Sequence, residues 1–176
     1  MRHLSGLEGN ILLFIQNNIR NPILDPVFNA ITHLGDGGIF WIILTVFLLC
    51  FRKTRRAGVY SAYALLGSLL VNNLILKNLV NRTRPYEVID GLVCLVSPAK
   101  DASFPSGHTG ASFASAVAVY RRLPKRYGVL LLILAALIAF SRLYVGIHYP
   151  TDVLGGLVTG VALGMLTTLV GEKIRT

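Results

Sequence analysis

Three clusters of polar residues interrupt an otherwise apolar chain, and their side chains are of the kind that handle phosphate. The first is Lys77 with Arg84-Pro85. The second is Pro105-Ser106-Gly107-His108-Thr109, in which Ser106 suits the N-cap of a helix. The N–H groups that follow such a cap, with the positive end of the helix dipole, form a ready anion site, and Gly107 lets a ligand approach the backbone. The third is Ser141-Arg142, then His148, then Asp152. Asp152 can accept the proton on one ring nitrogen of His148, which fixes the tautomer and makes the other nitrogen a better nucleophile.

Together these residues are an inventory for phosphoryl transfer without a metal. Lys77, Arg84 and Arg142 would neutralise the phosphate oxygens and the charge that develops in the transition state. One histidine attacks phosphorus and the other protonates the departing oxygen. Two histidines and one carboxylate among these cations would repel a divalent ion, so no metal and no other cofactor is expected. Each cluster alone has a plainer reading: a lysine snorkelling to an interface, an ordinary capped helix, a capping aspartate beside an interfacial histidine. The functional reading rests on their combination.

The elements that must hold these residues are membrane helices. The chain has 176 residues, of which 53% are hydrophobic and 14% charged, against roughly 25% charged in a soluble domain. Five apolar stretches read as spans, at about 39–51, 58–80, 107–120, 127–144 and 151–170. Each is stopped by a turn or a basic cluster, and each polar cluster falls at a span end on the same side. Residues 7–20 and 27–34, broken by Pro22 and Pro26, are too short to cross a bilayer that needs about 20 apolar residues. They read as interfacial helices, or as one bent sixth span. Glycines at 155, 156, 160 and 164 would let the last helix approach a neighbour closely. The expected fold is therefore all-α: one membrane-embedded domain over 1–176, with an interfacial segment at 1–35 and a bundle at 36–176. The short apolar run at 11–15 is no cleavable signal, so the spans are expected to be retained.

The net charge of +9 is largely a matter of topology. The segments 52–56 and 121–126 each hold four cations and no acid. With the Lys173/Arg175 tail they are expected to face the cytoplasm. Arg82, Arg84 and Lys100, mixed with Glu87, Asp90 and Asp101, are expected outside, which puts the polar clusters on the extracytoplasmic face of a multi-pass plasma-membrane protein. No basic, aromatic-interleaved surface is left for nucleic acid. Cys50 and Cys94 form neither a disulfide framework nor a metal pattern. His33 reads as interfacial. Asn72 and Asn73 face either the bundle interior or the mouth of the site. The apolar run 91–96 either dips into the lipid or packs on the bundle.

Lys77-x6-Arg84-Pro85, Pro105-Ser106-Gly107-His108 and Ser141-Arg142-x5-His148-x3-Asp152 closely resemble the three-part signature of the type 2 phosphatidic acid phosphatases, a superfamily that includes the vanadium haloperoxidases and glucose-6-phosphatase. The resemblance covers roughly residues 77–152, and the three motifs in this order and spacing are specific. It implies that His148 becomes phosphohistidine, with Asp152 as its orienting partner. His108 would serve as acid for the leaving group and then as base for water. Lys77, Arg84, Ser106, Gly107 and Arg142 would cradle the phosphate. It also implies a metal-independent phosphatase, drawing a lipid phosphate or diphosphate such as undecaprenyl diphosphate, phosphatidylglycerophosphate or phosphatidate from the bilayer. Transfer of phosphate to another lipid stays open. A lipid-phosphate binder or transporter would need the cations but not both histidines, and no internal repeat of the kind transporters show is visible.

Overall fold

The computed structural model describes residues 2–173; Arg175 of the expected basic tail lies outside them, and so does the side chain of Lys173. Helices α1 (Arg2–Asn18) and α2 (Leu24–Leu34) lead into a short 3-10 turn at Asp36–Gly38 and helix α3 (Ile39–Cys50). Helix α4 (Arg55–Ser68) continues through a π-helical run, Leu69–Leu76, into α5 (Lys77–Val80) and, past a short link, α6 (Pro85–Val88). After a long connection come α7 (Gly107–Tyr120), α8 (Lys125–Tyr144) and α9 (Pro150–Lys173). No strand occurs among the described residues.

The starts and stops have local causes. Ser106 caps α7 by accepting from the Thr109 N–H. Pro150 opens α9 at a position where its missing N–H costs nothing. Asn81, at φ 44°, ends α5 in the left-handed conformation. Gly37 and Gly38, at φ 57° and 70°, take a backbone that other residues avoid, and they turn the chain between α2 and α3.

Among the described residues three helical stretches are long and apolar enough to cross a membrane: Arg55–Val88, Lys125–Tyr144 and Pro150–Gly171. The pair Leu24–Leu34 and Asp36–Cys50, bent by 47°, makes a fourth if it is one broken span. The five expected spans are thus all helices at the expected places, but α3 and α7 are too short to cross alone. Helix α7 can be short because it is enclosed by protein: Gly110, Ser112, Ala114, Ser115, Ala116 and Ala118 are all buried. Its 14 residues rise only about 21 Å. Outside this hub, Ile43, Phe47, Leu130, Ile133 and Val158 are exposed, as lipid-facing side chains of a bundle should be.

Helix α7 meets α9 backbone to backbone. A Cβ on Gly156, Gly160 or Gly164 would lie 2.5, 2.5 or 2.7 Å from the carbonyl oxygens of Ser106, Gly110 and Ala114. Hydroxyls bind the other side of the hub, where apolar surroundings leave them no water. Trp41 Nε1 donates to Ser112 Oγ at 2.8 Å. Ser61 Oγ lies 2.6 Å from Thr45 Oγ1 and 2.7 Å from Ser115 Oγ.

The two basic loops share one end of the bundle, drawn together by Leu48, Ala57, Val119 and Leu123. The polar clusters share the other. Helix α1 lies against that second end, burying Leu12 and Ile15. Its Gln16 holds the 91–96 run through Gly91 O at 2.9 Å and the Val93 N–H at 2.8 Å. Within that run Leu92 is buried, Leu95 packs on the cluster of Ile15, Tyr144, Val145 and Ile147, and Val93 is exposed, so the run packs on the protein.

Candidate active site

His148 sits in the link between α8 and α9 and is 2% exposed. Its Nε2 lies 3.1 Å from Arg84 Nη1. A guanidinium only donates, so Nε2 accepts and the ring hydrogen belongs on Nδ1. That atom is buried and faces Asp152 Oδ2 at 3.5 Å, with no nearer hydrogen-bond partner among the described residues. Burial, reinforced by the charges of Arg84 and Arg142 and opposed by Asp152, pushes His148 down to about 3. The ring is neutral at physiological pH, with a lone pair on Nε2.

Asp152, one turn into α9, is fully buried and saturated with donors. Its Oδ2 accepts from Ser103 Oγ at 2.5 Å and from the Tyr149 N–H at 2.8 Å. Its Oδ1 accepts from Arg82 Nη1 at 2.7 Å. Arg82 also donates to Thr151 Oγ1 at 2.7 Å and to Glu8 Oε2 at 2.6 Å, and it lies 3.8 Å from the centre of the Tyr149 ring. Glu8, on α1 and 3% exposed, accepts in turn from the backbone and hydroxyl of Thr151. Sequence reasoning does not single out Arg82 or Glu8. Arg82 reads only as an outside charge, although the hydrogen-bonding need of a buried carboxylate four residues past a histidine signals that some cation must reach it.

Lys77 and Arg84 converge on one carboxylate that the sequence reading leaves as an ordinary outside charge. Asp101 bonds Lys77 Nζ through Oδ2 and Arg84 Nη2 through Oδ1, the latter at 2.6 Å. Its backbone oxygen accepts from Arg84 Nε at 3.1 Å. Burial would raise the Asp101 carboxyl, but the bond to Lys77 and the charges of Lys77 and Arg84 outweigh it and hold the group below its usual value. Arg142 is 5% exposed and donates from Nη1 to Thr32 Oγ1, while its Nε has no partner among the described residues.

On the α7 side the expected residues divide. Ser106 is fully buried, its Oγ accepting from Thr109 Oγ1 at 3.0 Å and its N–H donating to Asp152 O at 3.0 Å, so it ties the two helix starts together and does not open on the cavity. Gly107 and His108 do line a cavity of about 610 Å³, together with Lys77, Asp101 and Asn73. Asn72 is the inward one of the asparagine pair, donating to Ser68 Oγ at 3.0 Å. Both asparagines fall in the π-helical run, whose wide turn passes the Lys77 N–H to Asn72 O. His108 Nε2 lies 2.9 Å from Asp36 Oδ1, and His33 Nδ1 lies 2.6 Å from Asp36 Oδ2.

The cavity has a lining of two kinds. One set of its lining residues is polar, with Lys77, Asp101, Asn73 and His108, and another is apolar, with Ile42, Val46 and Leu49 of α3 and Leu65, Leu66 and Leu69 of the facing helix. An anionic head with an apolar tail matches that pairing.

Residues 57–175 match the family model described as the PAP2 superfamily. The undecaprenyl-diphosphatase BcrC of Bacillus subtilis (strain 168) is 34% identical over 88% of this chain and 79% of its own. Among solved structures, a transmembrane PAP2 type phosphatidylglycerolphosphate phosphatase from Bacillus subtilis superposes with a TM-score of 0.82 at 28% identity, covering 99% of this chain and 89% of that one. A bacterial vanadium-dependent iodoperoxidase shares the fold, with a TM-score of 0.74 at 18% identity over 92% of this chain and 47% of its own.

Proposed function

The chain belongs to the PAP2 superfamily, and from that premise we propose that it hydrolyses a lipid phosphate or diphosphate through a phosphohistidine on His148. The observation that carries the reading is the setting of His148. A neutral imidazole has its lone pair beside Arg84 and its other nitrogen toward a locked Asp152.

In the first step the substrate phosphate takes the place of the Asp101 carboxylate on Lys77 and Arg84, and the contact of Nε2 with Arg84 Nη1 gives way to attack on phosphorus. The Nε2 lone pair forms the N–P bond as the bond from phosphorus to the leaving oxygen breaks, and His108 gives that oxygen a proton. In the second step water attacks the phosphohistidine, its proton passes to His108, and the N–P bond breaks to restore the lone pair. Phosphate leaves and both histidines return to their starting states. Lys77, Arg84 and Arg142 supply the positive charge throughout, so the scheme calls on no metal. Gly107 and the first N–H groups of α7 complete the cradle, and Ser106 holds that helix start in place.

The apolar lining of the cavity favours a substrate drawn from the bilayer, and undecaprenyl diphosphate is the first candidate because a relative with that activity aligns over most of the chain. The basic loops at the opposite end support an extracytoplasmic site in the cell membrane. The test is phosphate release in detergent, with EDTA present, from undecaprenyl diphosphate, phosphatidylglycerophosphate and phosphatidate. Release that His148→Ala abolishes is expected. Equal release from the variant would overturn the phosphohistidine.

A further inference from the structure

The nucleophilic ring has its orienting carboxylate in the sequence signature, but the second ring has one that no motif contains. Asp36 lies 72 residues before His108 and meets its Nε2 at 2.9 Å. The chain around Asp36 is shaped for that contact. A Cβ on Gly35 would lie 2.5 Å from His108 Cδ2 and 3.1 Å from Ile138 Cγ2, so only a bare backbone can lie along that edge of the ring. Gly37 and Gly38, both at positive φ, then turn the chain away into α3. The imidazole is gripped along its Cδ2–Nε2 edge, and the edge carrying Nδ1 is turned away from this loop, on a residue that lines the cavity.

We propose that Asp36 is a positioning residue for His108: by accepting from Nε2 it fixes the tautomer and ring orientation that leave Nδ1 to serve the departing oxygen and then the water. The proposal rests on the reading of His108 as acid and base given above. An ionised carboxylate only accepts, so Nε2 carries a hydrogen whenever the bond is made. Nδ1 then holds either a lone pair, as a base needs, or a second hydrogen, as an acid needs. At His148 the hydrogen sits on Nδ1 and the lone pair on Nε2. The two rings are therefore set in opposite tautomers by carboxylates from opposite ends of the chain, and Asp36 also supplies a counter-charge when His108 is the imidazolium.

His33 completes the picture by what it need not do. The catalytic cycle returns the proton to His108 within one turnover, so no proton has to travel through Asp36 to His33. His33 Nδ1 steadies the second oxygen of Asp36 from an exposed position, and the chemistry does not depend on it.

The experiment uses a matched pair of single-chain substrates in detergent: a long-chain alkyl phosphate, whose departing alkoxide needs a proton, and a long-chain nitrophenyl phosphate, whose departing phenolate does not. The readout is kcat/KM, which covers the steps up to loss of the leaving group. Asp36→Asn is expected to lose roughly 10²-fold on the alkyl ester, the scale of general acid catalysis, and less than about fivefold on the aryl ester. His33→Gln is expected to change both by less than about threefold. Equal losses on the two esters in Asp36→Asn would overturn the proposal, because a distorted fold does not distinguish leaving groups. A His33→Gln loss as large as that of Asp36→Asn would also overturn it, by moving the effect from the carboxylate to the loop. Turnover of neither ester by the unmodified protein would instead count against the phosphatase reading itself.

Discussion

The two histidines of the site are held in contrasting ways. His148 is enclosed, and its carboxylate partner is fixed by a serine, a backbone N–H and an arginine that is itself clamped by Glu8 and Thr151. His108 keeps 20% of its side chain exposed and hangs on one carboxylate, itself 47% exposed and shared with His33. The contrast matches the tasks assigned to them. A nucleophile approaches one atom along one line, and a degree of misalignment is costly. An acid that becomes a base must meet a departing oxygen and later a water, so a ring fixed in tautomer but standing at an open edge serves better.

The contrast can be broken at its strongest point first. Asp152→Asn would let Nδ1 lose its acceptor and invite the wrong tautomer; kcat is expected to fall about 10³- to 10⁴-fold, as in other histidine–carboxylate pairs, in the same phosphate-release assay. Arg82→Met leaves Asp152 in place but releases one of its oxygens. A kcat loss of roughly 10²-fold with KM little changed is expected. A change in KM alone would mean that Arg82 serves binding and not the dyad. On the lightly held side, Gly35→Ala pushes a methyl against His108, and a loss of about 10- to 30-fold that spares the aryl ester would sharpen the distinction between the two supports. Asp101→Asn removes the carboxylate that competes for Lys77 and Arg84, so inorganic phosphate should inhibit about three- to tenfold more tightly in a competition assay.

The smallest effect concerns pH. The folded protein holds His148 at about 3, against 6.5 for the free side chain, so the unfolded chain binds the proton more readily. The stabilisation linked to this group is fully present above about pH 6.5 and is lost as pH falls toward 3. The melting temperature in detergent should drop over that window, and His148→Asn should drop less steeply. A parallel decline in both would place the acid sensitivity elsewhere.

Much of this arrangement was legible in the sequence, and the exceptions share a cause. Apolar runs and basic stops located the helices because burial in lipid leaves a strong local pattern. Lys77, Arg84, His108, Arg142, His148 and Asp152 stood out because ionisable groups near a membrane are conspicuous. Asp36, Arg82, Glu8 and Asp101 did not, since each had an adequate local explanation. Asp36 sat in a glycine turn, Arg82 and Asp101 in a mixed-charge connection, and Glu8 on an amphipathic stretch. Their roles come from partners far along the chain, such as Glu8 with Arg82 at a separation of 74 residues, and no local pattern encodes those. The π-helical run in the second long span is equally hidden, because its residues, Leu69–Leu76, are as apolar as the helix they interrupt.

The glycine contact between α7 and α9 has a mechanical consequence. A bilayer is a soft medium whose thickness and lateral pressure vary, and helices that meet through long side chains can slide or tilt as rotamers change. Here carbonyl oxygens of one helix rest on the bare backbone of the other at successive turns, and the Ser106 N–H to Asp152 O bond closes the joint at its top. The Cβ atoms of Thr109, Phe113 and Val117, the parts of those side chains fixed to the backbone, share the contact. One member of this joint begins beside His108 and the other directly after His148, so the separation of the two rings is set by backbone contact, which rotamer changes do not alter.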